Sequence, residues 1–260
     1  MRIGIRGGYG TEDPVAALDA DLERYSALGF EGLEVCVIGK DRSRTPYDRL
    51  TEADVRAMRA SAAQRGMSVA SLSADWLWGF CQEHPKLEDW DGVVGGIERD
   101  VALASALGAS TVLIHFGTAT GTWAEARRAL ERMAGVAEAG GVRLAFEASI
   151  FRRTGLGGLL EIRRLVDEVD RSSLGIYEHP HYPRAGLPAH EEVELFGPRL
   201  AGVHLGRLDE VQIDWGAFLP ALRRYYDGFV IFEVGYQIAA QNKAALDRAL
   251  AEVGDGSAGG

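Results

Sequence analysis

Residues 229–235 read FVIFEVG, four apolar residues followed by a carboxylate, one more apolar residue and a glycine. An apolar run this short and this continuous suits a strand covered on both faces, the kind found in parallel sheets packed under helices. Three earlier runs have the same form and also end on an ionisable residue. LAFEAS (144–149) carries Glu147, LGIYEHPH (174–181) carries Glu178 and AGVHLG (201–206) carries His204, as FVIFEVG carries Glu233.

The same alternation extends to the start of the chain. Further apolar runs lie at 2–6, 30–38, 67–72 and 110–116, and with 143–148, 174–178, 200–205 and 229–234 they make eight strands. Helical stretches separate them. Asp13 before Pro14 is a cap with a first-turn proline, and Thr51 with Asp54 and Thr122 with Glu125 have the form of capping boxes. Eight strand–helix units predict an α/β protein, a closed (β/α)8 TIM barrel, over a single domain at 1–253, with GDGSAGG (254–260) as a polar tail. A doubly wound open sheet is the competing architecture. Its dinucleotide fingerprint is missing, because Gly7, Gly8 and Gly10 lack the third-glycine spacing and the acidic partner.

Composition narrows the function. At 47% hydrophobic and 25% charged, 260 residues can build one large core. Cys36 and Cys81 form no paired-spacing motif, which points to a reducing, cytoplasmic setting, and MRIGIRGGYG is too short an apolar stretch for a signal or membrane span. A net charge of −10 repels phosphate backbones, so nucleic acid is not an expected partner.

In such a barrel the reacting groups stand at the carboxyl ends of the strands. Glu147, Glu178, His204 and Glu233 occupy four such ends in succession, and a shared divalent cation is the simplest way to offset the cost of burying them. Three carboxylates and one imidazole favour Mn2+, with Mg2+, Co2+, Fe2+ or Zn2+ as other candidates. Taken singly, each residue has an alternative as a helix cap or the partner of an arginine.

FEGLEV (30–35), LIHFG (113–117), LAFEAS, EHPH (178–181), GVHLG (202–206) and YDGFVIFEVG (226–235) together resemble the xylose-isomerase-like barrel superfamily of sugar isomerases, ketose epimerases, inosose dehydratases and apurinic-site endonucleases. The resemblance spans about the whole chain. It implies that Glu147, Glu178, His204 and Glu233 bind one metal and that His181 touches substrate; two carboxylates on opposite sides of a metal-bound substrate would make Glu147 and Glu233 the catalytic acid/base pair. It leaves formation of a homo-oligomer open. Glu178 stands where these proteins usually carry Asp, and HLGRLDEVQIDWG (204–216) departs from their usual loop. Arg207 in that loop is either a substrate contact or a surface partner of Asp209 or Glu210.

His115 and Glu34, also at strand ends, are further candidates to support the metal ligands from behind or to contact substrate, with a core histidine and an arginine-bonded carboxylate as the respective alternatives. His179 is left out, on the expectation that strand alternation turns it away from Glu178. The aromatic stretch ADWLWGFCQEHP (74–85), with Trp76, Trp78 and Phe80, is expected to be a loop serving as substrate lid or subunit interface. The expected activity is metal-dependent isomerisation or epimerisation of a small sugar or keto-polyol through an enediolate. A dehydratase or lyase using His181 or His115 as acid, and a non-catalytic sugar binder, are the alternatives. The endonuclease activity is excluded by the missing extra His and Asp ligands and the missing basic groove.

Overall fold

The computed structural model describes all residues except 10–11, 40–44, 85–89, 117–121, 148–157, 181–186, 211–212 and 257–260. Eight parallel strands close into one barrel in chain order: β1 Arg2–Gly7, β2 Gly32–Cys36, β3 Ser68–Ser73, β4 Thr111–Ile114, β5 Arg143–Glu147, β6 Leu174–Glu178, β7 Leu200–Leu205 and β8 Phe229–Phe232. Closure is made by β1 against β8, with Arg2 opposite Phe229 and Ile5 opposite Phe232. The expected (β/α)8 barrel is therefore the observed fold.

The helices around it are α1 Pro14–Ser26, α2 Glu52–Gln64, α3 Asp75–Glu83, α4 Trp90–Leu107, α5 Trp123–Ala139, α6 Leu159–Val169, α7 Ala189–Phe196, α8 Trp215–Tyr225 and α9 Tyr236–Gly256. Their starts follow the local chemistry. The Asp13 carboxylate accepts from the Val15 and Ala16 amides, and Thr51 with Asp54 and Thr122 with Glu125 close reciprocal capping boxes that satisfy amides otherwise left open. Residues 75–83, expected as a loop, instead form α3. Helix α9 reaches Gly256, past the boundary drawn at residue 253.

Most of the apolar core lies between the strands and the helices, and Leu174 and Ile176 of β6 belong to it. Inside the barrel a smaller layer gathers Leu113, Ala145, Tyr177 and Ala201. Successive strand residues face opposite sides, so on β6 the odd positions Gly175 and Tyr177 face the barrel axis and the even ones face the helices. The interior is narrow enough to require glycine beside the large rings. A Cβ on Gly202 would lie 2.3 Å from the Tyr177 ring, and one on Gly32 would lie 2.4 Å from the Phe229 ring. We expect Gly202→Ala to force the Tyr177 ring from its place at a cost of about 1–3 kcal/mol, the usual penalty of overpacking. Thermal unfolding measures this, and an unchanged midpoint would mean that the ring has room to spare.

Candidate active site

Among the described residues, four carboxylates and three imidazoles collect at the carboxyl-end mouth of the barrel around one guanidinium. Arg6, near the end of β1, is buried with its side chain only 11% exposed. Its Nε lies 3.2 Å from Glu34 on β2, its Nη2 donates to Asp75 at the start of α3 over 2.6 Å, and its Nη1 bonds Glu233, which directly follows β8. The barrel register makes the first of these contacts, since Arg6 stands opposite Glu34 across the β1–β2 pair.

Glu34 is completely buried and fully engaged. Ser71 donates to it at 2.6 Å and Tyr177 at 3.1 Å, while His204 Nε2 sits 2.8 Å from its other oxygen. Burial would raise its pKa, but the His204 imidazole, Arg6 and the Ser71 hydroxyl outweigh burial and hold the carboxyl below its ordinary value. The same pair moves His204 the other way: burial opposes the imidazolium, and the Glu34 carboxylate more than restores it. Asp75, held by Arg6, His115 and the Ser73 hydroxyl against its own burial, is brought down to about 2.

The second half of the site centres on His179. Its Nδ1 bonds Glu147 over 3.1 Å and its Nε2 lies 3.2 Å from Glu233, so the ring sits between the fifth-strand carboxylate and the eighth-strand one. Burial is the main reason that the His179 pKa is pulled down to about 4, so the ring is neutral near pH 7. Glu147 is held well below its ordinary value: its burial is overcome first by the hydrogen bond from His179. The His179 and His204 rings lie 5.4 Å apart, and Glu147, His179 and His204 each offer a ligand atom within 4.8 Å of the others.

This set fits a divalent cation on one further observation. His204 uses Nε2 toward Glu34, and its Nδ1 is buried with no hydrogen-bond partner among the described residues. A carboxylate on one ring nitrogen fixes the imidazole and leaves the other nitrogen to a ligand, as in carboxylate–histidine–metal arrangements.

The described geometry gathers His179, and not Glu178, with Glu147 and His204. Glu178 is fully buried, but it has the parity of Leu174 and Ile176 and stands on the helix-facing side of β6. His179, which had been left out, has the parity of Tyr177 and enters the site. The difference is one of phase, since alternation counted with Glu178 inward turns His179 outward. Trp76 is likewise not brought to the site: its ring is buried under α4 and its Nε1 donates to Asp100 over 2.6 Å. Arg207 pairs with Asp209 and Glu210, each at 2.8 Å, the surface alternative. His115 follows β4 and stands at the mouth, 3.7 Å from Asp75. His181 lies outside the described residues.

Arg6 and Asp75 were not anticipated. The signal for Arg6 was in RIGIR, where Ile3 and Ile5 take the helix-facing side and leave Gly4 and Arg6 to the barrel axis.

Residues 22–252 match the family model described as the xylose isomerase-like TIM barrel, and the chain belongs to that family. No curated protein matches it. Among solved structures it resembles D-psicose 3-epimerase from Clostridium cellulolyticum H10, with a TM-score of 0.75 at 17% identity, over 97% of this chain and 99% of the other. It also resembles a 3-keto-D-glucoside 4-epimerase from E. coli, with a TM-score of 0.68 at 16% identity, over 96% and 98% of the two chains. A third, a xylose isomerase-like TIM barrel protein from Mycobacterium smegmatis in complex with magnesium, gives 0.72 at 15% identity, over 97% of each chain. At these identities the likeness is one of fold.

Two stability measurements test the network. Arg6→Met would leave buried carboxylates without their counter-charge, and urea unfolding should show a loss of about 3–5 kcal/mol, partly recovered in the Arg6→Met, Glu34→Gln double variant. A loss within experimental error would show that the carboxylates do not depend on Arg6. Asp75 titrates lower in the folded protein, about 2, than its ordinary 3.8, so the stability it contributes is present above about pH 4 and lost as pH falls toward 2. Asp75→Asn should therefore flatten the dependence of the urea midpoint on pH in that window.

Proposed function

We propose that the protein is a divalent-metal-dependent isomerase or epimerase of a small sugar or keto-polyol. The observation that carries this is the His179 ring held between Glu147 and Glu233, which sets two carboxylates on opposite sides of one small space beside His204. Glu147, His179, His204 and Glu233 would hold the cation. Two imidazoles and two carboxylates make a donor set with more nitrogen than three carboxylates and one imidazole. That set favours Mn2+, Co2+, Fe2+ or Zn2+ over Mg2+. Mn2+ remains the preferred ion.

A bound cation would polarise neighbouring carbonyl and hydroxyl oxygens, which acidifies the hydroxyl-bearing carbon next to the carbonyl. The chain's own groups do the rest. One of Glu147 and Glu233 takes the proton from carbon, and the other returns one on the opposite face, or to the neighbouring carbon in an isomerisation. Arg6 is a positioning residue that fixes the Glu233 carboxylate, and the neutral His179 ring, with a single N–H to give, donates to Glu147. Glu34 sets which nitrogen of His204 faces the site. The sugar epimerases among the structural neighbours support a sugar as the substrate class.

A dehydratase acting through the same proton abstraction is the second reading. It rests on His115, which stands at the mouth beside Asp75 with a buried Nδ1 lacking a partner among the described residues. Two free, buried cysteines fit a cytoplasmic setting, and among the described residues no helix is long and apolar enough to cross a membrane.

Incubating metal-loaded protein with ketohexoses, inosose and 3-keto-glycosides in deuterated water separates the readings. Epimerisation should place solvent deuterium on the inverted carbon, whereas loss of water would select the dehydratase. Glu147→Gln and Glu233→Gln should each fold and lose turnover by about 100-fold or more, the scale of one general acid or base. Full activity in both variants would refute the assignment. His179→Ala should lower the metal content of the purified protein, measured by elemental analysis; stoichiometric metal in that variant would remove His179 from the ligand set.

A further inference from the structure

The opposite end of the barrel holds a cavity of about 220 Å3, between the amino-terminal ends of the strands. It is smaller than the roughly 300–1,000 Å3 pockets that take drug-sized ligands, so its occupant is a small molecule or ion. Arg2 and Arg143 line it with Ser110 and Thr111, and Asp227 is the carboxylate among its described lining residues. Two guanidiniums against one carboxylate make this a locally positive recess in a chain of net charge −10.

The two arginines are held in different ways, and both leave donors to spare. Arg143 spends Nη1 on the Leu200 carbonyl at 2.9 Å and Nη2 on those of Pro198 and Arg199 at 3.3 and 3.4 Å, which locks the guanidinium plane against the start of β7. Its Nε–H is buried and finds no acceptor among the described residues. A buried donor left open is unfavourable, and an acceptor that reaches it removes that cost. Arg2 lies with its guanidinium carbon 4.0 Å over the Phe229 ring, and among the described residues neither arginine has a carboxylate partner. Stacking on Phe229 restrains the Arg2 plane while its N–H edge remains open for a bidentate contact.

From this arrangement we propose that the amino-terminal cavity binds a small tetrahedral oxyanion, a phosphoryl group held by Arg2 and Arg143 with the hydroxyls of Ser110 and Thr111. Guanidiniums match the oxygen spacing of phosphate, and preorganised planes lose little freedom on binding. Free phosphate and the head of a small phosphoester present the same chemistry here. The cavity lies at the opposite end of the barrel from the proposed metal centre; Ser71 and Tyr177, which bond Glu34, form its inner wall, and oxyanion binding here requires no metal there.

Thermal unfolding of the full chain in inorganic phosphate, against chloride at matched ionic strength, tests the site, because an ion that binds only the folded state raises the midpoint saturably. The wild type should show that rise. Arg2→Gln and Arg143→Gln should each weaken the apparent affinity ten-fold or more. A wild type indifferent to phosphate, or a folded variant of either kind that keeps the full response, overturns the proposal. Should Arg143→Gln fail to fold, the exposed Arg2→Gln alone decides. Glycerol phosphate in a parallel titration assigns the source: tighter binding than inorganic phosphate identifies an ester, weaker binding the free ion.

Discussion

A buried guanidinium shared by three carboxylates governs how the rest of this site is built. Glu34, Asp75 and Glu233 come from the second, third and eighth strand–helix units, and Arg6 comes from the first. Without a cation among them, the desolvation of these groups would oppose bringing the units together. With it, the seam where the barrel closes is also the place where the site's charges are balanced. Closure and site assembly are thus one electrostatic event.

The two halves of the mouth differ in kind. On the Arg6 side, Glu34 is saturated by Ser71, Tyr177, His204 and the guanidinium, so it is a fixed anion that positions others. On the His179 side, among the described residues, a neutral ring lies between Glu147 and Glu233, apart from the Arg6 contacts to Glu34 and Asp75. Glu233 belongs to both halves. The glycines inside the barrel serve the same division: Gly202 gives the Tyr177 ring the space from which its hydroxyl reaches Glu34.

Much of the fold could be read locally. Each strand is a short apolar run, and Asp13, Thr51 and Thr122 mark helix starts through bonds spanning two or three residues. The aromatic stretch after β3 was misjudged because its helix is held by burial of Trp76 against Asp100, a partner 24 residues away. Of the site, Glu147, His204 and Glu233 were visible as polar endings on apolar runs. Which of the adjacent Glu178 and His179 faces His204 was not legible, because neighbours at a strand end differ only in phase, and the phase is fixed by Tyr177 packing against Leu113, Ala145 and Ala201 on other strands.

The amino-acid order alone determined the number of strands, their parallel arrangement and the collection of ionisable residues at one rim, because those follow from apolar periodicity and short-range capping. Which of those residues face one another was decided only by the closed barrel. Register across β1 and β2 sets Arg6 beside Glu34, and the parity of β6 turns His179 toward the axis. Both are relations between segments distant in the chain, and no local pattern encodes them.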